Sequence, residues 1–246
     1  MQTGHRCFVV VATVAFFVAL AADPASATTF GGLTPAKLTG ITMAAATGAP
    51  AVVAWENFTG ADGTNLSGTV TDGGSKTWSV NPSGTWTISA NAAVTTSANT
   101  SLVIDAGASS DSAVATIFRN GATTFDAGLT VNRNAAGTQF LTAEWTSTSN
   151  GSLELWKFTG GAWTNVAVTT NLYPGGIGTA PASITLKLTS SSANVLTAYI
   201  NGVSTVTYTL TAAEITIYKN ATHQLFGLYQ WTSNGFTWDD FHLDNP

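Results

Sequence analysis

Between residues 183 and 190 the chain alternates strictly. Ile184, Leu186 and Leu188 are apolar, and Thr185, Lys187 and Thr189 between them are polar. A period of two marks a strand with one face buried. Similar runs continue from Ala51 to the C-terminus, broken by turn-forming clusters. Among these are Asn120-Gly121, Asn150-Gly151, Gly160-Gly161 and Asn201-Gly202. Asn and Gly tolerate positive φ, so each pair predicts a tight turn between strands. One stretch reads differently: Thr211-Ala212-Ala213-Glu214 has a capping Thr with Glu three residues on, which predicts a single short helix. About a dozen short strands at this spacing predict an all-β, antiparallel sandwich or barrel.

Composition agrees. Of 246 residues, 44% are hydrophobic, enough for a large core, and only 9% are charged. Lys, Glu and Arg, which favour helices, are scarce, while Thr and Ser suit exposed strand faces. Net charge is −5 with eight Lys plus Arg and no basic cluster, which argues against a nucleic-acid partner. No polybasic or amphipathic helix points to a membrane surface.

Residues 1–27 read as a secretory signal. His5 and Arg6 precede an apolar run from Cys7 to Leu20, and Ala25 and Ala27 form a small-x-small cleavage pattern. The run is shorter than the ~20 residues of a spanning helix, so release without a membrane anchor is expected. Cys7 is the sole cysteine, which leaves a mature chain without a disulfide or a thiolate nucleophile. Residues 28–50 form a linker or N-terminal arm ending at Gly48-Ala49-Pro50, and residues 51–246 form the β-domain.

Turn chemistry predicts cross-strand partners. A two-residue turn at Asn150-Gly151 sets Trp145 opposite Trp156 and Glu144 opposite Lys157. The same turn at Gly160-Gly161 pairs Phe158 with Trp163, which places Trp145, Trp156, Phe158 and Trp163 on one face. At Asn201-Gly202 it pairs Tyr199 with Ser204 and Tyr208 with Val195.

The stretches Trp55-Glu56-Asn57-Phe58 and Trp238-Asp239-Asp240-Phe241 bracket the domain, and the strands that carry them are expected to meet. The first leads into Asp62-Gly63-Thr64. Trp78 then precedes Gly84-Thr85-Trp86-Thr87-Ile88, and Phe226-Gly227-Leu228-Tyr229 precedes the second bracket. With these motifs the chain resembles the concanavalin A-like lectin/glucanase superfamily, and more closely the laminin G-like domains of bacterial and phage surface proteins. The resemblance implies two curved antiparallel sheets in a jelly roll, with ligands on the concave face or the rim loops. It does not imply a function, because the same fold carries lectins, glucanases and structural domains.

A glucan hydrolase needs two carboxylates flanking the scissile bond. The Glu-x-Asp-x-x-Glu run of the laminarinase branch is missing, and Glu144, Glu154 and Glu214 are isolated along the chain. No Gly-x-Ser-x-Gly elbow and no zinc-ligand spacing is present. No cofactor is required by any motif. Glu56, Asn57, Asp239 and Asp240 offer oxygens from two strands expected to be neighbours. Two readings stay open for them: a structural Ca2+, or side chains that face solvent and cap nearby loops. Ring faces stack on the C–H faces of sugars, so exposed aromatics are the binding candidates. These are Trp231 in a loop, Trp145, Trp156 and Trp163 on the shared face, and Tyr199. For the shared face, a saccharide platform and the inner core are both open. The expectation is a secreted, non-catalytic module that binds a polysaccharide or cell-surface glycan. The alternatives are a structural or adhesive surface protein without a saccharide site, and a glycoside hydrolase of unusual pattern.

Overall fold

The computed structural model describes residues 51–109, 111–232 and 235–245. The signal segment and the arm lie outside these. Fifteen strands and one α-helix follow in chain order: β1 Val52–Glu56, β2 Ser79–Asn81, β3 Trp86–Ser89, β4 Ala92–Thr95, β5 Thr100–Asp105, β6 Ser112–Phe118, β7 Asp126–Arg133, β8 Gln139–Thr146, β9 Ser152–Thr159, β10 Ala162–Thr169, β11 Ser183–Ser190, β12 Val195–Ile200, β13 Val203–Thr209, α1 Ala212–Tyr218, β14 Leu225–Gln230 and β15 Thr237–Asp244. They form two antiparallel sheets. The first runs β13-β12-β11-β6-β15-β4-β3 with β1 also on β15, and the second runs β10-β9-β8-β7-β14-β5-β2.

The bracketing motifs do meet. Glu56 pairs with Phe241 and Trp55 with His242. In β15 both Trp238 and Phe241 are buried although they are three apart. A bulge between Asp239 and His242, with Asp240 at positive φ, takes up the odd residue and leaves both aspartates outside. Trp238 packs on Trp86 at 5.0 Å between ring centroids, and Phe241 on Trp78 at 4.9 Å. Trp55 does not join them: it is 38% exposed, because strand alternation turns Glu56 inward instead.

All three Asn-Gly pairs have positive φ at both residues. Only Asn201-Gly202 is a two-residue hairpin, between Ile200 and Val203. Tyr199 pairs with Ser204 as expected, but a bulge after Ala198 then sets Tyr208 opposite Leu196 rather than Val195. Asn120-Gly121 turns the chain from β6 in one sheet to β7 in the other. The Asn150-Gly151 pair closes a longer loop over residues 147–151, so that Thr146 pairs with Ser152.

Helix α1 begins with the predicted capping box: Thr211 Oγ1 accepts from the Glu214 N–H at 3.3 Å, and Glu214 Oε2 accepts from the Thr211 N–H at 2.8 Å. Glu214 also accepts from Lys157 Nζ at 2.6 Å and from the Tyr208 hydroxyl at 2.8 Å. This helix cap therefore ties together β9, β13 and α1. Along one side of the sandwich the edge strands β10 and β13 touch, and Thr169 Oγ1 donates to the Thr205 carbonyl at 2.7 Å. The opposite edges, β2 and β3, are three and four residues long.

Candidate functional site

The loop at residues 147–151 decides what the second sheet presents. It pairs Glu144 with Glu154, Trp145 with Leu153 and Thr142 with Trp156. The expected pairs Glu144–Lys157 and Trp145–Trp156 do not form. Their residue numbers sum to 301 and those of the observed pairs to 298, an odd difference, so the β8 side chains face the other way relative to β9. Trp145 is fully buried in the core, where its indole N–H donates to the Tyr173 hydroxyl at 2.9 Å. Lys157 lies on the Leu155 side of β9 and meets Glu214. Trp156, Phe158 and Trp163 do share a face, with Phe158 opposite Trp163 as expected.

That face points away from the core and is ordered in rows across the strands. One row reads Tyr229, Gly128, Glu144, Glu154 and Val168 on β14, β7, β8, β9 and β10. The next reads Thr130, Thr142, Trp156 and Asn165. A third sets Phe140, Phe158 and Trp163 side by side. Asp126 and Thr146 lie in the row on the other side of Glu144. At Gly128, beside Glu144, an added Cβ would stand 1.9 Å from the Ala143 carbonyl oxygen, so only glycine fits this sheet position.

A cavity of about 230 Å3 opens here, lined by Asp126, Glu144, Thr146, Thr148, Glu154, Trp156, Trp163 and Trp231. Carboxylates separated in the sequence thus form one acidic floor. Glu154 is held by four donors: Ser152 Oγ at 2.7 Å and Thr148 Oγ1 at 3.0 Å on one oxygen, and Trp156 Nε1 at 3.0 Å and Asn165 Nδ2 at 3.3 Å on the other. Glu144 is 5% exposed and accepts from the Thr142 hydroxyl at 2.7 Å. Its carboxyl contacts that of Asp126, whose Oδ1 is buried with no hydrogen-bond partner. Burial, and then the Asp126 charge, push Glu144 well above the usual carboxylate range. Burial, and then Glu154, raise Asp126 to about 6, although contact with Glu144 works the other way. Two touching carboxyls titrate as one unit, in which the first charge opposes the second.

The walls are indoles. Trp163 meets Trp231 at 5.0 Å and 81°, and Trp156 at 6.3 Å and 85°. Trp231 is exposed and the other two are half-buried. The rings form a corner rather than a flat row. At about 230 Å3 the cavity is below the roughly 300–1,000 Å3 of pockets for drug-sized ligands, so it suits one ring or an end group better than a chain. A second cavity, of about 430 Å3 beside Asp105, Asn134 and Thr222, has no aromatic wall.

The other candidates lie apart. Tyr199 is on β12 of the first sheet, beside Lys187 of β11. At the seam, Glu56 faces inward and accepts from the Phe58 N–H at 3.0 Å and Trp78 Nε1 at 3.2 Å. Burial nevertheless raises its pKa, and the Trp78 bond opposes that rise. Asn57 N–H donates to Asp72 Oδ2 at 3.1 Å, and Asp239 Oδ1 accepts from the Asp240 N–H at 2.8 Å. Glu56 points in while Asp239 and Asp240 stay outside, so these residues do not form one donor set for Ca2+. Among the described residues no group of three or more His, Cys, Asp or Glu side chains is gathered for a metal ion.

The signal that sequence reasoning missed is Ser147-Thr148-Ser149 before Asn150-Gly151, loop-like residues that already allowed a longer connection. Asp126, which ends up beside Glu144, carried no signal beyond its place at the start of an alternating run.

No known family model matches the chain, and no curated protein matches it in sequence. Solved structures do match in fold. A carbohydrate-binding module, CBM66 from Bacillus subtilis, is 14% identical with a TM-score of 0.53, over 68% of this chain and 94% of that one. A Bacillus subtilis protein of unknown function with a galectin-like fold is 14% identical with a TM-score of 0.50, over 75% and 97%. The GH43 protein BlXynB from Bacillus licheniformis is 12% identical with a TM-score of 0.52, over 78% of this chain and 39% of that one. The architecture is thus a two-sheet antiparallel jelly-roll sandwich, similar to the galectin-like fold.

Proposed function

We propose that this protein is a secreted carbohydrate-binding module whose site is the acid-floored, tryptophan-walled cavity on the second sheet. The observation that carries this reading is the convergence of Trp156, Trp163 and Trp231 over Asp126, Glu144 and Glu154. A sugar ring presents C–H faces that stack on indoles and hydroxyls that need both donors and acceptors. The Asp126–Glu144 pair offers both when it holds a proton. Secretion is supported by the signal-type residues 1–27, and the partner is a polysaccharide or cell-surface glycan. The laminin G-like motifs fit a protein that works at such a surface. On a glycan array the wild type should bind, and Trp163→Ala and Trp231→Ala should each weaken binding at least ~10-fold. Wild-type protein that binds no glycan at high concentration would favour the structural or adhesive role.

One observation favours a second reading, glycoside hydrolysis. Glu144 and Glu154 are directly opposite on neighbouring strands and sit in different environments, one poor in donors and one rich. Pairs of that kind divide acid and base roles in glycosidases. Release of new reducing ends from soluble glucans, abolished by Glu144→Gln, would establish it.

A further inference from the structure

The cavity's lining is one-sided in charge. Asp126 of β7, Glu144 of β8 and Glu154 of β9 face it, and among the described residues no Lys, Arg or His does. Beside them, Tyr229 of β14 is the remaining titratable neighbour, with its hydroxyl donating to Asn99 Oδ1 at 3.2 Å. From β10 the face receives Trp163 and Asn165, which are uncharged. Arg133 lies at the far end of β7 and stacks 3.9 Å over the Phe140 ring.

Two independent features go beyond the cluster of acids. The first is an unmet demand for donors. Glu144 is more than nine-tenths buried; the Thr142 hydroxyl donates to it, and among the described residues its other hydrogen-bond partner is the Asp126 carboxyl. Asp126 Oδ1 is buried and unpartnered. Buried acidic groups short of donors are costly to ionise, so the pair favours positive charge brought to its open side. The second feature is ring geometry. Flat stacking of a long saccharide wants coplanar rings, whereas indoles set at 81° and 85° enclose a corner. Such corners attract ammonium groups through the negative faces of the rings. A metal ion is a poorer fit, because these carboxylates are not gathered at metal-binding spacing.

We propose that the cavity selects a cationic sugar: the ammonium of a protonated amino-sugar end group sits between the indole corner and the Asp126–Glu144 pair. This rests on the carbohydrate-binding reading of the same site. The ammonium is held by the indole faces and by the negative charge of the carboxyls that line the cavity, and the sugar ring lies against Trp231. Because the free pair retains a proton that a bound cation displaces, binding releases a proton to solvent. Anionic glycans are repelled by the same floor.

Titration calorimetry on the wild-type protein with chitosan oligosaccharides, their fully N-acetylated counterparts and neutral gluco-oligosaccharides tests this. At a pH where the amines are protonated, the amino form should bind at least ~10-fold tighter than the acetylated one, and salt should weaken it. The measured heat should change with the ionisation enthalpy of the buffer, reporting the released proton. Glu144→Gln and Asp126→Asn should abolish the preference with no loss of melting temperature, whereas Trp163→Ala should weaken every ligand. Equal or tighter binding of acetylated or neutral glycans would overturn the cationic selectivity and leave the carbohydrate reading standing. No binding of any glycan, amino sugars included, would overturn both.

Discussion

Glu56 and Glu144 are both buried carboxylates raised above their ordinary range, yet the fold treats them differently. At the seam between β1 and β15, Glu56 accepts from a backbone N–H and an indole N–H, so its demand is met within the protein. On the second sheet Glu144 accepts from one hydroxyl and touches a second acid. Glu214 lies beyond Glu56 on the same scale, with Lys157, Tyr208 and Thr211 all donating. Donor supply, rather than burial alone, separates an acid that holds the fold together from one left open to a ligand.

The largest effect that tests this contrast is at Glu214. Glu214→Ala removes the helix cap, the Lys157 ion pair and the Tyr208 bond together, and should destabilise by about 3 kcal/mol in denaturant unfolding. Burial alone would raise this carboxyl, but Lys157 and its other donors hold it at about 2, below the ordinary 4.5. Its stabilisation is therefore complete above pH 4.5 and disappears as pH falls towards 2. At the seam, Glu56→Gln turns an amide N–H towards the Phe58 N–H or the Trp78 indole, and should cost about 1–3 kcal/mol. A neutral outcome there would remove the distinction between the two regions.

Glu144→Gln should behave in the opposite way. Asp126 and Glu144 both titrate higher in the folded protein, so the native state keeps protons that the unfolded chain has lost. Their contribution to stability is greatest below about pH 4 and falls as pH rises through the value of about 6 for Asp126. A melting-temperature profile from pH 4 to 8 should thus decline less in Glu144→Gln than in the wild type. The smallest effect on stability belongs to Trp231→Ala, about 1 kcal/mol because the ring is 36% exposed and its main packing is on Trp163, although it should weaken glycan binding at least ~10-fold.

Much of the fold was legible in local pattern. The alternation in β11, the turn at Gly160-Gly161, the hairpin at Asn201-Gly202 and the cap at Thr211 each depend on a few adjacent residues, and the structure agrees with all of them. The meeting of the two bracketing strands was legible as well, whereas the inward turn of both Trp238 and Phe241 needs a bulge that no residue announces. The candidate site was legible only in half. Trp156, Trp163 and Trp231 come together, but the acidic floor depends on the pairing of β8 with β9, which the length of one loop sets. Asn-Gly chemistry fixes positive φ at residues 150 and 151 without fixing how many residues the loop contains. Glu144 therefore read as the partner of Lys157, and Trp145 as sharing a face with Trp156 and Trp163, when the observed register puts Trp145 on the opposite face.

The closure of the sandwich along β10 and β13 bears on how the protein remains dispersed. With charged residues at 9%, little repulsion keeps copies apart, and exposed strand edges would template pairing between molecules. Here one pair of edges is turned onto each other through Thr169 and Thr205, and the opposite pair offers strands of only three and four residues. In this low-charge chain the described strand edges are thus protected by geometry rather than by lysines. It also leaves open the outer face over β7, β8 and β9, where Asp126, Glu144 and Glu154 gather.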